Sequence, residues 1–283
     1  MNHEFGWLPE AITIVGSEFR IEPLPDLSNV VKLVRDCEFV EKDWFYPPPL
    51  EGPPVRAAEY FQLPATHQLQ VEQQVPQERV DFLIAAFGFL MGLRIVPARW
   101  IHFYRAYLKP HVLVGFYIED AALTRILELA WSAWAAGTPD IRKMLFGALH
   151  WHMFSRSYEH AFEVFNAQYT VLDTCWRIHS VRIRQPRVSH AKRIVALGAH
   201  YRIPLPAWAA IDDGKTSYLS RLRNSLIHEG FFAGEPIAFG HPREHPAIHL
   251  ELFHYNTRLL LALLGEDSWF VHSALNRSMA MIK

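Results

Sequence analysis

The chain reads as an α+β protein, with a β-rich α+β region over residues 1–118 followed by an all-α helical bundle over residues 119–283. Three observations predict this. Short alternations of apolar and polar residues dominate residues 1–75, whereas apolar residues spaced three and four apart dominate from Glu119 onward. The composition supplies the third: 283 residues, half of them apolar and 13% aromatic, suffice for two packed cores and exclude a disordered chain.

In the first region, Ala11 to Val15 has the continuous apolar character of a buried strand, and Phe19 and Ile21 alternate with charged neighbours. Val30 to Val34 fits either a strand or a short helix. Phe45 to Pro54 carries five prolines, which fix φ and remove backbone donors, so it reads as a stiff surface loop or a polyproline ligand. His67 to Glu72 alternates like a strand with one wet face. Glu78 to Leu93 is apolar over most of its surface and reads as a buried helix ended by Pro97. Trp100 to Phe116 is aromatic and broken by Pro110, and its Val112 to Phe116 run fits a strand or a buried helix segment.

The second region is a succession of helices. Leu123, Ile126, Leu127, Ala130, Trp131 and Trp134 form one face, ended by Gly137. Thr138 as N-cap with Pro139 behind it starts the next helix, which carries Ile141, Leu145, Leu149 and Met153. Apolar positions from Tyr158 to His179 define a long helix of roughly seven turns. Pro186 interrupts, and a further helix begins near Ser189. The connection Ile203-Pro204-Leu205-Pro206-Ala207-Trp208 leads to a helix with Leu219, Leu222 and Leu226 on one stripe and Gly230 as its stop. Leu250 to Leu263 forms the last one, before Gly265.

Charge and cysteine content narrow the functional classes. A net charge of −1 argues against a coat of basic charge that binds nucleic acid indiscriminately. The distribution is uneven: residues 1–75 hold twelve acidic and five basic side chains, while residues 174–211 hold no acid but include Arg177, Arg182, Arg184, Arg187, Lys192, Arg193 and Arg202. Two cysteines, Cys37 and Cys175, give no disulfide framework. The N-terminus lacks the pattern of a signal peptide, and the longest uncharged apolar run, Phe82 to Leu93, is too short to span a bilayer, so the expectation is a cytoplasmic protein with no membrane contact. There is no Walker loop, GxGxxG or GxSxG, and the sequence implies no cofactor. His241, His245, His249 and His254 have metal-like spacing, but Pro242 and Pro246 break the helix that would align them, so no metal is expected.

The stretch richest in chemistry is Leu219 to Gly230. Asn224 and His228 are four apart and share a helix face with Ser220. Arg223 precedes His228 by five, which places it about 140° round an α-helix at roughly 100° per residue. A single helix does not easily focus the two on one atom, whereas two copies across a symmetric interface would.

Arg223-Asn224-Ser225-Leu226-Ile227-His228 resembles the Arg-polar-x(3)-His signature of HEPN domains, helical domains found in many RNA-cleaving toxins, defence effectors and RNA-processing proteins. Leu222 and Glu229-Gly230 are similar to the ApeA-like branch, as are the long helix containing Tyr169, Leu172, Asp173 and Trp176, then Arg193-Ile194 and the proline connection, in that order. The resemblance covers about residues 139–265 and leaves residues 1–118 as a possible sensor or regulatory domain. It implies Arg223, Asn224 and His228 as a catalytic set for metal-independent RNA cleavage, assembled across a homodimer, and it leaves room for an antitoxin or regulatory partner. Histidine exchanges protons near neutrality, and arginine stays charged and forks onto phosphate oxygens. Arg182, Arg184, Arg187 and Arg193 are the candidate RNA-binding residues, and Trp176 and Trp208 are either core or base-stacking. The alternative is a non-catalytic helical dimerisation and binding module. It expects the motif side chains to be engaged within one chain, whereas the nuclease reading expects a phosphate between two copies.

Overall fold

The computed structural model describes residues 2–36, 40–41, 44–45, 64–98, 116–158, 160–184, 186–212, 214–237, 239–275 and 280–282. Cys37, the prolines of the Phe45 to Pro54 segment and the Trp100 to Gly115 segment lie outside the described residues. The chain is α+β, with an antiparallel sheet in the N-terminal region and helices after it. It divides into two compact units at 135/136, not at 118/119, so the first helix after Glu119 belongs with the sheet.

The first unit is built on five antiparallel strands: β1 (Asn2–Gly6), β2 (Ile14–Val15), β3 (Phe19–Pro23), β4 (His67–Val71) and β5 (Val96–Pro97), in the order β2-β3-β4-β1-β5. Burial follows the period of two: Phe19 and Ile21 on β3 and His67, Leu69 and Val71 on β4 turn inward, leaving Gln68 and Gln70 on the wetter face. The strand expected over Ala11 to Val15 shrinks to Ile14 and Val15, whose partners are Ile21 and Arg20. Pro97 does not end the helix before it. It pairs with Phe5 at the sheet edge, where a missing N–H costs no ladder bond, and Gly92 stops the helix instead at φ 62°, its N–H reaching Phe89 O.

Three helices accompany the sheet: α1 (Leu27–Asp36), α2 (Gln77–Met91) and α3 (Asp120–Ala136). Val30 to Val34 is thus helical. The core is aromatic, with Phe87 edge-on to Phe5 and Phe82 stacked on Trp134 at a centroid distance of 4.9 Å. Arg79 lies 3.5 Å above the Trp131 ring and donates to the Trp131 carbonyl, tying α2 to α3.

The second unit is helical. Its centre is α5 (Ala161–Ile183), packed between α4 (Pro139–Phe154) and α8 (Ile248–Leu264), with α6 (His190–Tyr201) against α5 and α7 (Tyr218–Asn224) against α6; α9 (Trp269–His272) closes on α8. Thr138 caps α4 through Ile141 N–H, with Pro139 at its first position. No helix among the described residues is long and apolar enough to cross a membrane.

A polar cluster locks the three main helices together. Gln168 of α5 accepts from His152 Nδ1 of α4 (3.1 Å) and from Asn256 Nδ2 of α8 (2.8 Å), and its amide donates to Ser155 Oγ (2.6 Å). Thr257 Oγ1 lies 3.1 Å from His152 Nε2, and all five residues are fully buried. Burial drives the His152 imidazole down to about 3, against the opposing bond from Gln168, and drives His254 down to about 4 with help from Arg258 and Arg156. Both folded values lie below the ordinary 6.5, so between pH 6.5 and about 4 the unfolded chain takes up protons that the folded chain refuses. Stability is therefore complete above pH 6.5 and falls as pH drops, by about 1.4 kcal/mol per pH unit for each such group. Urea unfolding at pH 7, 6 and 5 measures this; equal midpoints would show that these imidazoles are not buried neutral.

Candidate functional site

The helix that carries the motif starts at a reciprocal cap. Ser217 Oγ accepts from Ser220 N–H while Ser220 Oγ accepts from Ser217 N–H, both side chains being buried. Ser220 is therefore spent on the helix start and does not join Asn224 and His228 on an open face.

After Asn224 the helix widens. Ser225 to Glu229 form a π-helical turn, closed by Gly230 N–H donating to Ser225 O five residues back, with Gly230 at φ 71°. This changes the side-chain geometry expected of an α-helix. Residues five apart diverge in an α-helix, but a turn that takes roughly one more residue per revolution brings the fifth residue back above the first. Arg223 and His228 accordingly meet within one chain, Nη1 to Nε2 at 3.1 Å, and Arg223 Nη1 also donates to Asn224 Oδ1 at 3.0 Å. The sequence expectation that a single helix keeps Arg223 and His228 apart is thus overturned by the extra residue in the turn. Because an arginine N–H only donates, His228 Nε2 accepts and carries a lone pair in this arrangement. Asn224 and His228 are exposed and Arg223 is half-buried.

Neighbouring helices complete the surroundings. The Arg223 guanidinium sits 5.8 Å from the Tyr169 ring on α5. Tyr169 Oη is 2.9 Å from His190 Nδ1 at the start of α6, and the same nitrogen is 3.6 Å from Asp173 Oδ1. Arg193 Nη1 binds Asp173 at 2.7 Å. Burial pushes the Tyr169 phenol up, helped by Asp173 and opposed by Arg223 and Arg193, so it stays a donor. The His190 imidazole is pulled down by burial against the opposing Asp173 carboxylate, with Arg193 and Arg223 reinforcing the fall. Sequence reasoning gave His190 no role; only the packing of α6 on α5 reveals its place.

The candidate RNA-binding arginines are distributed differently. Arg193 faces the site through Asp173. Arg182 donates to the Leu263 carbonyl at 2.7 Å, a cap on the last turn of α8. Arg184 ends α5 at φ 53° and is exposed, about 20 Å along the helix from Tyr169 at 1.5 Å per residue. Arg187 is exposed in the connection to α6. Trp176 and Trp208 are 5% and 1% exposed, which makes them core residues, and Trp208 donates to Glu251 at 2.5 Å.

A cleft of about 320 Å³ opens beside another face of the motif helix, lined by residues that include Tyr218, Arg221, Ser225, His241 and Arg243, and by none of Arg223, Asn224 and His228. Those three stand on the open surface, an arrangement suited to an extended strand more than to an enclosed small molecule. Among the described residues no three His, Cys, Asp or Glu side chains come close enough to hold a metal ion. His245 packs edge-on against Tyr218, and burial followed by Arg156 pulls His249 down. Compared with known protein families, curated proteins and solved structures, the chain matches none.

Proposed function

We propose that the chain is a HEPN-type, metal-independent endoribonuclease of the cytoplasm, possessing a toxin or defence role and cleaving RNA around Arg223, Asn224 and His228 as a homodimer. The observation that supports this reading is the gathering of a cation, an amide and an imidazole, Arg223, Asn224 and His228, at one point of the surface where Asn224 and His228 are exposed. A phosphate oxygen is a charged acceptor and outcompetes a neutral imidazole for the guanidinium. Binding RNA would thus free His228 Nε2 beside the scissile group. That nitrogen takes the 2′-hydroxyl proton, O2′ bonds to phosphorus, the bond from phosphorus to O5′ breaks, and a second imidazole returns a proton to O5′. The products are a 2′,3′-cyclic phosphate and a free 5′-hydroxyl, and no co-reactant is consumed. Arg223 offsets the charge of the phosphorane.

Dimerisation draws support from exposed apolar side chains next to the motif. Ile227, Phe231 and Phe239 are 49%, 42% and 77% exposed, with Ile237 between the two phenylalanines in sequence. Apolar side chains grouped in this way mark interaction surfaces. Phe239→Glu together with Ile227→Glu should turn a dimer into a monomer in sedimentation velocity; an unchanged species would move the interface elsewhere.

One observation favours the second reading, a non-catalytic dimerisation and RNA- or ligand-binding module. Arg223, Asn224 and His228 hydrogen-bond to one another within the chain, as an inert helix end would. The deciding experiment is incubation of the protein with mixed RNAs in EDTA, followed by end-group analysis. Fragments ending in 2′,3′-cyclic phosphate support the nuclease, and intact RNA that is nevertheless bound supports the module.

A further inference from the structure

We propose that the cleft beside α7 is a nucleotide-binding site, with a phosphate on Arg221, Arg243 and His241 and a guanine base stacked on Tyr218 with its edge toward Glu244. The assignment does not rest on Arg223 and His228, neither of which lines the cleft. Its volume of about 320 Å³ is at the small end of the roughly 300–1,000 Å³ typical of ligand clefts, which suits one nucleotide. Three segments build it: α7, the hairpin turn at Ala233-Gly234, and the stretch from His241 to Glu244.

The walls are held in place by backbone. The turn between Phe231–Phe232 and Glu235–Pro236 has two residues, both left-handed, Ala233 at φ 57° and Gly234 at φ 84°. Turns of this hand follow the twist of the strands they join. Gly240 lies so close to the hairpin that a Cβ there would collide with the Phe232 carbonyl, which fixes where the next stretch starts. His245 then packs edge-on against Tyr218, ring centroids 4.9 Å apart, and seats that stretch on α7.

The lining combines cations, an aromatic ring and one carboxylate. Asp212 holds Arg221 Nη1 at 2.6 Å and so orients a guanidinium whose fork has further donors. Arg221 and Arg243 are both exposed at the cleft, and two guanidiniums with the His241 ring suit a phosphate's charge and its several acceptor oxygens. The Arg221 guanidinium also lies 5.9 Å from the Tyr218 ring. Burial pushes the Tyr218 phenol up, with Glu244 reinforcing and Arg221 opposing, so the ring stays neutral beside the Glu244 carboxylate. A half-buried aromatic ring of this kind stacks on any base, and the carboxylate is what selects. Guanine presents two adjacent donors, N1–H and its amino group, to the two oxygens of a carboxylate. Adenine and cytosine offer an amino donor beside an acceptor, and the single N–H of uracil lies between two carbonyls. Each of those three turns an acceptor toward the negative charge.

A free nucleotide and one nucleotide of an RNA strand share this chemistry, and calorimetry on the full chain separates them. The titrants are GMP, AMP, CMP and UMP, beside 2′-O-methyl hexamers with a single G or A among uridines, which lack the hydroxyl that cleavage needs. GMP should bind more tightly than the other three, by on the order of tenfold over UMP. Arg243→Ala should weaken GMP by on the order of tenfold or more, and Glu244→Gln should remove its advantage over AMP. Both side chains are exposed, so the variants should fold as wild type does. GMP binding tighter than the G hexamer marks a free nucleotide as the ligand, and the reverse marks an RNA subsite; either supports the site. No binding of any titrant, or no preference for guanine, overturns it. So does GMP binding unchanged by Arg243→Ala and Glu244→Gln, and a loss confined to Arg223→Ala would place the phosphate at the motif instead. RNA cleavage by a protein that binds no nucleotide in the cleft would leave the nuclease reading standing alone, and nucleotide binding without cleavage would leave the cleft alone.

Discussion

On the proposed nuclease reading, alanine at Arg223 or at His228 should each lower RNA cleavage by on the order of 10²-fold to 10⁴-fold, roughly 3–5 kcal/mol of transition-state stabilisation. The two effects differ in kind. Without His228 the 2′-hydroxyl loses its nearby base. Without Arg223 the phosphorane loses its cation, and His228 Nε2 loses the group it contacts. Lysine at 223 should recover only part of the loss, since an ammonium supplies charge without the planar fork. Asparagine 224 touches Arg223 only from the side, so Asn224→Ala should cost less than either. All three side chains lie at the surface or half-buried, and their variants should melt close to wild type. Single-turnover rates beside thermal melts check the set. Variants at 223 and 228 that cleave as fast as wild type would remove these residues from catalysis.

The largest effect on stability is expected at Gln168→Leu, which keeps the volume of the side chain but removes its amide. His152, Ser155 and Asn256 would each lose a partner in a site closed to water. An orphaned buried polar group costs about 1–3 kcal/mol, so the sum is on the order of 4 kcal/mol after partial rearrangement. Because Gln168 precedes Tyr169, the same cluster sets the roll of α5 that presents Tyr169 to Arg223. Urea unfolding should therefore show a lower midpoint, and the loss of activity should exceed what the unfolded fraction explains. A change in stability below about 1 kcal/mol would mean that the cluster rearranges freely.

Much of the helical unit was legible because its signals are local. Thr138-Pro139 marks a helix start through one hydroxyl and one missing N–H, and the stripe from Leu123 to Trp134 needs no partner to be recognised. What escaped depends on distant segments. The basic stretch after Thr174 looked unopposed because acids were sought inside it. Asp173, one residue before it, holds Arg193, and Asp267, far along the chain, holds Arg202 through both carboxylate oxygens. His190 carries no distinguishing neighbours in sequence and matters only because α6 lies against α5. The place of Pro97 opposite Phe5 depends on sheet pairing that no short window contains, whereas the stop at Gly92 is a local left-handed cap. The π turn was hidden for a different reason. Leu219, Leu222 and Leu226 fit an α-helical stripe, and the widening begins only after Asn224, where Leu226 is the one buried apolar residue of the turn and too little to reveal a change of period.

That widened turn has a consequence for how this site could arise or vanish. Its geometry depends on the number of residues between Arg223 and Gly230 more than on what they are. Deleting one residue such as Ile227 would let the helix close as ordinary α-helix and leave the arginine and the histidine four apart, on one face, so that a four-spaced α turn and a five-spaced π turn present the same pair. Lineages would then keep the pair while differing by a single codon's worth of spacing. A one-residue gap in an alignment at this point would therefore not by itself mark the loss of the pair.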